Sequence, residues 1–245
     1  MHVLDNAAWH ALTGPHATVA QRVPLAARYL PDVSVFAALP DEAGETAWDA
    51  LRALVGPDGA AVLARRELSL PAGWSVIFTE PCRQMWLPGN SAPDGHGTSA
   101  PDGHGTSAPD GYGDSAPDFV RLDGQDAPEM LDLVKRTQPG PFLARTVELG
   151  TYLGVREDGA LVAMAGERLH PPGFTEISAV CTDASHRGRG LASGLVRALV
   201  VGIRARGETP ILHMTLKNEP AYRVYSALGF ETRTFLDVVG VRAPD

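Results

Sequence analysis

The chain has 245 residues, 44% of them hydrophobic, and its 29 acidic and 21 basic side chains give a net charge of −8. This composition supports a folded core, and the acidic balance without a basic stripe argues against a nucleic-acid partner. No apolar run reaches membrane-spanning length, and the first residues lack the basic and apolar regions of a secretory signal. We therefore predict a cytoplasmic protein without membrane contact.

The two cysteines, Cys82 and Cys181, lie far apart and form no metal-ligand pattern. We predict that both are reduced thiols and that the protein binds no metal.

The sequence of residues 1–90 predicts a small α/β domain. A strand is expected at 33–39, a helix near 47–55, and further strands at 60–65, 74–79 and 84–87. This part contains no phosphate-binding loop, and we assign it no chemistry.

Residues 91–118 contain a repeat. Ser-Ala-Pro-Asp-Gly begins at Ser91, Ser99 and Ser107, and Pro and Gly fill about a third of each unit. Since no residue here could anchor a core, we predict a flexible linker without a chemical role.

Residues 119–245 predict a second domain, a mixed α/β fold whose central mixed sheet has helices on both faces. The predicted strands are 119–122, 152–156, 160–168, 175–182, 211–216 and 230–239, and the predicted helices are 126–137, a long one from 191, and one containing Tyr225.

An anion site is predicted where the 175–182 strand leads into the long helix. The intervening segment Arg187-Gly188-Arg189-Gly190 is basic and rich in glycine, and it precedes the free N–H groups of the first helical turn. Arginines bind phosphates in a bidentate manner. Neither a P-loop motif nor a complete G-x-G-x-x-G motif is present, so this segment is neither a P-loop nor a dinucleotide-binding loop.

Two motifs indicate which ligand it is. Arg187, Gly190 and Ala192 fit the pattern [QR]-x-x-G-x-[GA], and residues 218–230 read N-x-x-A-x-x-x-Y-x-x-L-G-F. Both resemble the GNAT superfamily of acyl-CoA-dependent N-acyltransferases, over roughly 119–241. The sequence around Glu167 and Glu176 resembles the branch near the glycine N-acyltransferases. The resemblance implies that residues 1–90 are a smaller, degenerate copy of the same fold.

The resemblance also implies acetyl-CoA, or another acyl-CoA, as co-substrate. In the family the pyrophosphate binds at the glycine-rich loop and helix start, and the pantetheine arm binds along the preceding strand. The corresponding residues here are Val180, Thr182, Arg187, Gly188, Arg189, Gly190, Leu191, Ala192 and Asn218. The backbone N–H of Val180 would stabilise the negative charge that develops on the carbonyl oxygen.

Two residues are candidates for proton transfer. Glu176 is the candidate general base, acting directly or through water, and Tyr225 matches the family tyrosine that protonates the leaving thiolate. The alternatives are an ion-paired strand glutamate and a core tyrosine. His213 is either a second base or a hydrogen-bonded sheet histidine, whereas Cys181 is expected to be structural.

Three further residues, Phe142, Arg145 and Tyr152, fall where family members build the acceptor pocket. Arg145 could bind an acceptor carboxylate there.

We therefore predict an N-acetyltransferase that acts on the primary amine of a small molecule. Two alternatives remain: an acyltransferase that modifies a protein amine, and a non-catalytic module that binds acyl-CoA.

Overall fold

A computed structural model describes residues 2–89 and 118–245. Apart from Asp118, the repeat for which we predict a linker lies outside these residues. No helix in the described ranges is long and apolar enough to cross a membrane.

Eleven strands and five α-helices form the described part of the chain. The strands are β1 (Ala20–Val23), β2 (Ala26–Tyr29), β3 (Ala37–Ala38), β4 (Ala60–Arg65), β5 (Ser75–Trp86), β6 (Val120–Leu122), β7 (Tyr152–Glu157), β8 (Ala160–Glu167), β9 (Phe174–Thr182), β10 (Thr209–Thr215) and β11 (Glu231–Arg242). The helices are α1 (Ala7–Thr13), α2 (Glu45–Val55), α3 (Ala127–Thr137), α4 (Leu191–Ala205) and α5 (Glu219–Ala227).

Eight of the strands form one mixed sheet in the order β4-β11-β5-β10-β9-β8-β7-β6, and β1-β2-β3 form a small second sheet. Strand β5 precedes the repeat, yet it pairs antiparallel with both β10 and β11, which follow the repeat. The two sides of the repeat therefore share a single sheet. The division into two domains at 90 and 119, and the idea that the first is a degenerate copy of the second, stay predictions.

Helices cover both faces of the large sheet, which confirms the predicted fold class. On one face, Ile177 and Leu212 pack against α4 and α5, and α4 buries a stripe at the spacing of one helical face. On the other face, α1 packs on Ile211 and on the partly buried Trp86. Because side chains alternate along a strand, Glu176 and His213 lie on the α1 side of the sheet.

The local predictions after the repeat are confirmed to within about two residues for α3 and the β7–β8 hairpin. Before the repeat, the strand predicted at 33–39 shrinks to Ala37–Ala38. The strands predicted at 74–79 and 84–87 are one strand, β5, because β11 pairs with it almost continuously past Pro81.

A buried histidine, His16, packs against the partly buried His170 and so joins the N-terminal segment to the loop after β8. His16 accepts or donates one hydrogen bond with the Tyr29 hydroxyl at 2.8 Å, and its ring centroid lies 4.9 Å from that of His170. Burial, together with the neighbouring His170, lowers the pKa of His16 to about 4. The folded protein therefore holds a neutral His16 at pH values where the unfolded chain binds a proton.

This histidine should make stability depend on pH. Between about pH 6.5 and 4 the unfolded chain binds the extra proton, so the free energy of unfolding should fall with falling pH, by up to about 3 kcal/mol from His16. Urea unfolding at pH 7 and pH 4.5 measures this fall. In His16→Gln the fall should be smaller by most of that amount, and an unchanged pH dependence would contradict the assignment.

Candidate active site

The candidate site is a gap between β9 and β10. The two strands pair in parallel only from Phe174 to Ile177 and from Thr209 to Leu212. Beyond that point β9 continues to Thr182 and β10 to Thr215 without pairing to each other, while the other edge of β10 stays paired to β5. One strand edge on each side of the gap is thus available to a ligand.

A β-bulge lies on the β9 side of this gap. The register between β8 and β9 shifts between Met164 and Gly166, and Ala179 opposite has a φ of 53°. A positive φ is uncommon for a residue with a Cβ, and such strain is found at functional sites. Ala179 and Val180 have no register partner among the described strands. Of the two residues predicted to bind the pantetheine arm, Val180 is therefore free of strand pairing, whereas Thr182 pairs with Ala163 of β8 and leaves only its other edge open to the gap.

The glycine-rich loop closes one end of the gap. Gly188 and Gly190 both have a φ of 77°, which favours glycine, and neither Cβ position meets an atom within 4 Å. Gly190 is the N-cap of the 15-residue helix α4, and no side chain caps the first turn. The N–H groups of the first turn of α4 are therefore without a side-chain cap, and together with the helix dipole they suit a phosphate.

The two loop arginines differ in their partners. Arg189 forms an ion pair with Glu157 at 2.6 Å. Arg187 donates from Nε to the carbonyl of Thr182 at 3.2 Å, and no described carboxylate pairs with it. Arg187 is therefore the more available cation for an anionic ligand.

Thr182, at the end of β9, carries an unsatisfied group. Its Oγ1 is buried and has no hydrogen-bond partner among the described residues. Such an atom calls for a partner, which a polar ligand in the gap would supply. With the uncapped helix and the unpaired strand edge, the residues present fit an acyl-CoA.

Tyr225 lies on α5 and is 9% exposed. It packs in the same hydrophobic cluster as Leu191, the first residue of α4, and Val180 in the bulge of β9. Burial, and to a lesser extent Cys181, raises the pKa of Tyr225 to about 12. Its hydroxyl is therefore protonated at neutral pH, and no described residue hydrogen-bonds it.

Glu176 is fully buried on the opposite face of the sheet. Arg168 donates to both of its oxygens, from Nη2 at 2.5 Å and from Nε at 3.0 Å, and His213 Nδ1 lies 2.7 Å from Oε1. Although burial opposes it, these two partners hold the pKa of Glu176 far below its ordinary value. The Glu176 carboxylate is ionised, and Arg168 and His213 bind it. This arrangement corresponds to the ion-paired strand glutamate that the sequence analysis gave as the alternative to a general base.

The other residues considered from the sequence have defined contacts. Asn218 caps α5, its Oδ1 accepting from the N–H of Ala221 at 3.2 Å. Arg145 is occupied by Glu148 at 2.7 Å and by Asp32 at 3.2 Å, so its cation is already balanced. Cys181 is buried, and burial raises its pKa to about 11, which fits a structural thiol.

Phe142 and Tyr152 form an edge-to-face pair with centroids 5.6 Å apart. Both are buried, and the Tyr152 hydroxyl has no partner in the described part of the chain. Within residues 2–89 and 118–245, no three His, Cys, Asp or Glu side chains are grouped to hold a metal ion.

Comparison with known proteins gives consistent results. The family model described as FR47-like protein matches residues 152–237. N-alpha-acetyltransferase RimI of Mycobacterium tuberculosis is 33% identical over 119 residues, which are 45% of this chain and 74% of that protein. Mycothiol acetyltransferase of Thermomonospora curvata is 35% identical over 91 residues, 37% of this chain and 30% of that protein.

The whole fold is also found in a solved structure. A GNAT-family protein from Novosphingobium aromaticivorans aligns over 100% of both chains, with a TM-score of 0.81 and 34% sequence identity. The likeness therefore extends to the N-terminal part and not only to the motif-bearing half.

Proposed function

The chain belongs to the GNAT superfamily of acyl-CoA-dependent N-acetyltransferases, and we propose that it transfers the acetyl group of acetyl-CoA to the primary amine of a small molecule by direct attack. One observation carries this proposal: the bulge at Ala179 leaves Val180 unpaired beside a gap that ends at an uncapped helix N-terminus. An extended thioester with a pyrophosphate at one end matches that arrangement.

Different residues around the gap bind the different parts of acetyl-CoA and act in the transfer. The N–H groups at the start of α4, with Arg187 and Gly188 beside them, hold the pyrophosphate, and the edge of β9 at Val180 and Thr182 holds the arm. Acetyl-CoA supplies the thioester that the amine attacks. The N–H of Val180 stabilises the charge that develops on the carbonyl oxygen, and Tyr225 donates a proton to the leaving sulfur.

Glu176 takes a different role in this proposal from the general base that the sequence suggests. Both of its oxygens are engaged and the carboxyl is sealed from solvent. We assign it an electrostatic role, as a fixed negative charge that orients His213 where β9 and β10 separate.

The N-terminal segment closes this face of the gap to an acceptor of either kind, small molecule or peptide. The cavity beside Arg168, His213 and Gln84 is only about 20 Å³, because Leu4 and Ala7 close it from the α1 side. A cavity of that size holds about one water molecule. Either acceptor therefore has to approach from another side of the gap.

Of the other candidates, only one has specific support. One of the relatives is named for N-alpha-acetylation, which supports a protein α-amine as the second candidate acceptor. An amino-acid acceptor would follow from a position near the glycine N-acyltransferases, although Arg145 is already paired. A purely binding module is disfavoured because a protonated, unbonded Tyr225 hydroxyl lies at the site.

Calorimetric titration with acetyl-CoA, with dephospho-CoA and ATP as controls, tests the co-substrate. Binding should then be followed by a screen of amino acids, amino sugars, polyamines and peptides for release of the CoA thiol. Absence of binding by any CoA ester would overturn the proposed function.

Replacing Arg187 with alanine should weaken acetyl-CoA binding by about 10- to 100-fold, the value of a charge-assisted hydrogen bond to phosphate. Arg189→Ala is the matched control, and its loss should be several-fold smaller because Glu157 already offsets that charge. Titration calorimetry of both variants makes the comparison. No loss in Arg187→Ala would remove Arg187 from the phosphate site, and equal losses in the two variants would show that Arg189 binds the phosphate as strongly despite Glu157.

A further inference from the structure

A second cavity lies outside the gap, where the segment between β2 and β3 meets β4, β5 and β11. Its volume is about 270 Å³, against about 20 Å³ for the cavity beside Arg168 and His213. We call it the Phe78 cavity, and its lining includes the bulky side chains of Tyr29, Val35, Phe36, Val62, Ile77 and Phe78. None of the residues that we propose for acyl-CoA lines it, so it is separate from the gap.

A β-bulge in β5 shapes this cavity. Gly240 of β11 pairs with Phe78, and the next residue, Val241, pairs with Val76, so Ile77 is an extra residue in β5. Neighbouring residues of a regular strand point to opposite faces of the sheet, whereas Ile77 and Phe78 both line this cavity. The bulge therefore turns a second large apolar side chain toward the same space.

Glycine at position 240 gives the Phe78 ring its place. A Cβ at Gly240 would lie 2.3 Å from Cε1 of Phe78, so only glycine lets the ring lie this close to the backbone of β11. The ring forms part of the cavity wall as a result.

The apolar side chains around the Phe78 cavity are incompletely covered by the described residues. Ile77 is 47% exposed, Phe78 44% and Val35 36%. Single exposed apolar side chains are ordinary on a protein surface, but a group of them that lines a concavity is typical of a ligand site.

The charge at the cavity is positive. Arg28 is the single charged residue among the described residues that line it. Its Nε donates to Gln21 Oε1 at 2.7 Å, and no carboxylate of a described residue pairs with it. Ser34 also lines the cavity, and its hydroxyl, which accepts from the N–H of Phe36 at 3.4 Å, can still donate. Such a lining favours an anionic group on the ligand.

We infer that the Phe78 cavity is a second ligand site and that it binds a small carboxylate with an apolar alkyl or aryl body. The apolar body packs against Phe36, Ile77 and Phe78, and the carboxylate accepts hydrogen bonds from Arg28. The site does not depend on the acetyl transfer proposed above.

The volume of the cavity limits the size of this ligand. An apolar cavity of about 150 Å³ accommodates benzene, so a volume of about 270 Å³ accommodates an apolar body of roughly ten non-hydrogen atoms. A carboxylate with a chain of about eight carbons, or with one aromatic ring and a short linker, has this size.

A second copy of the chain fits the surface less well than such a ligand. Each copy carries a net charge of −8, and the repulsion between two like charges opposes association. The small carboxylate needs to satisfy only Arg28.

Calorimetric titration with octanoate tests the alkyl body, and titration with 4-phenylbutyrate tests the aryl body. At least one of them should bind one molecule per chain with a Kd below about 1 mM, in the range of a ligand of this size. Octanamide and 4-phenylbutanamide keep the shape and lack the charge, so each should bind about tenfold more weakly than its acid.

Three variants locate the binding. Arg28→Gln should weaken the acid about tenfold and leave its amide unchanged. Ile77→Asp places a carboxylate at the cavity and should weaken both by at least about tenfold. Val76→Asp is the matched control, because Val76 is the preceding residue of β5 and is 54% exposed but does not line the cavity. Its affinity for the acid should stay within about twofold of wild type.

Several results would overturn the inference. They are the absence of saturable binding by both acids, equal affinity for acid and amide, and equal losses in Ile77→Asp and Val76→Asp. Competition between the bound acid and acetyl-CoA would place the acid in the gap instead. A dimer in sedimentation velocity that is lost in Ile77→Asp and kept in Val76→Asp would assign the surface to a second copy.

The variants are compared only when folded, as judged by urea unfolding at pH 7. If Ile77→Asp does not fold, Arg28→Gln with the acid and its amide decides the question alone. If acetyl-CoA fails to bind, the proposed function fails by itself, and the titrations with the two acids still judge the Phe78 cavity.

Discussion

Replacing Arg168 with methionine is expected to lower the free energy of unfolding by about 3–5 kcal/mol, because the fully buried Glu176 carboxylate would lose its cation. Arg168 is itself buried, and its guanidinium also lies 5.0 Å from the centre of the Phe36 ring. Methionine keeps part of the side-chain volume, so the loss reports mainly on charge. Urea unfolding at pH 7 measures it.

The double variant Arg168→Met/Glu176→Gln provides the control. Removing the orphaned charge should recover a large part of the loss, since the glutamine oxygen can still accept from His213. If the double variant is as unstable as the sum of the two single variants, the two residues are not coupled and the ion pair does not explain the burial of Glu176.

The ion pair of Arg168 and Glu176 also affects how the free energy of unfolding depends on pH in acid. Arg168 and His213 lower the pKa of Glu176, so its contribution is complete above about pH 4.5 and is lost as the pH falls toward the depressed value. In the range from pH 6.5 to 4.5 the histidines, not Glu176, are therefore expected to dominate acid destabilisation.

Replacing Tyr225 with phenylalanine should lower kcat by about 100-fold, the usual value of a positioned general acid, and leave the affinity for acetyl-CoA unchanged. Phenylalanine keeps the edge-to-face contact with Phe230, whose centroid lies 6.0 Å away, so the packing of α5 is preserved. Only the hydroxyl, which has a raised pKa of about 12, is lost.

Tyr222→Phe is the matched control one helical turn earlier. Its ring lies under the guanidinium of Arg83, 4.2 Å from carbon to centroid, and phenylalanine retains that contact. Turnover of this variant should stay within about twofold of wild type. Full activity in Tyr225→Phe would reduce Tyr225 to a packing residue, and a loss of acetyl-CoA affinity would show that it binds and does not act as an acid.

The elements that we propose bind the phosphate could be predicted from local sequence. A 3.6-residue apolar period specifies the buried face of α4, and glycines at 188 and 190 permit the left-handed turn before it. Asn218 followed by Glu219 and Pro220 is a typical helix start, and the structure has α5 begin there. These features depend on contacts between residues a few positions apart, which a single sequence displays directly.

The partners of Glu176 could not be predicted in this way. Gln84 meets His213 across 129 positions of the chain and Arg233 across 149, and the insertion of β5 between β10 and β11 brings them together. Strand order is decided by the burial of whole strand faces, and no local pattern records which strands will pair. Glu176 in isolation resembles a free base; only the folded sheet supplies the arginine and histidine that bind its charge, because a buried carboxylate must be paired.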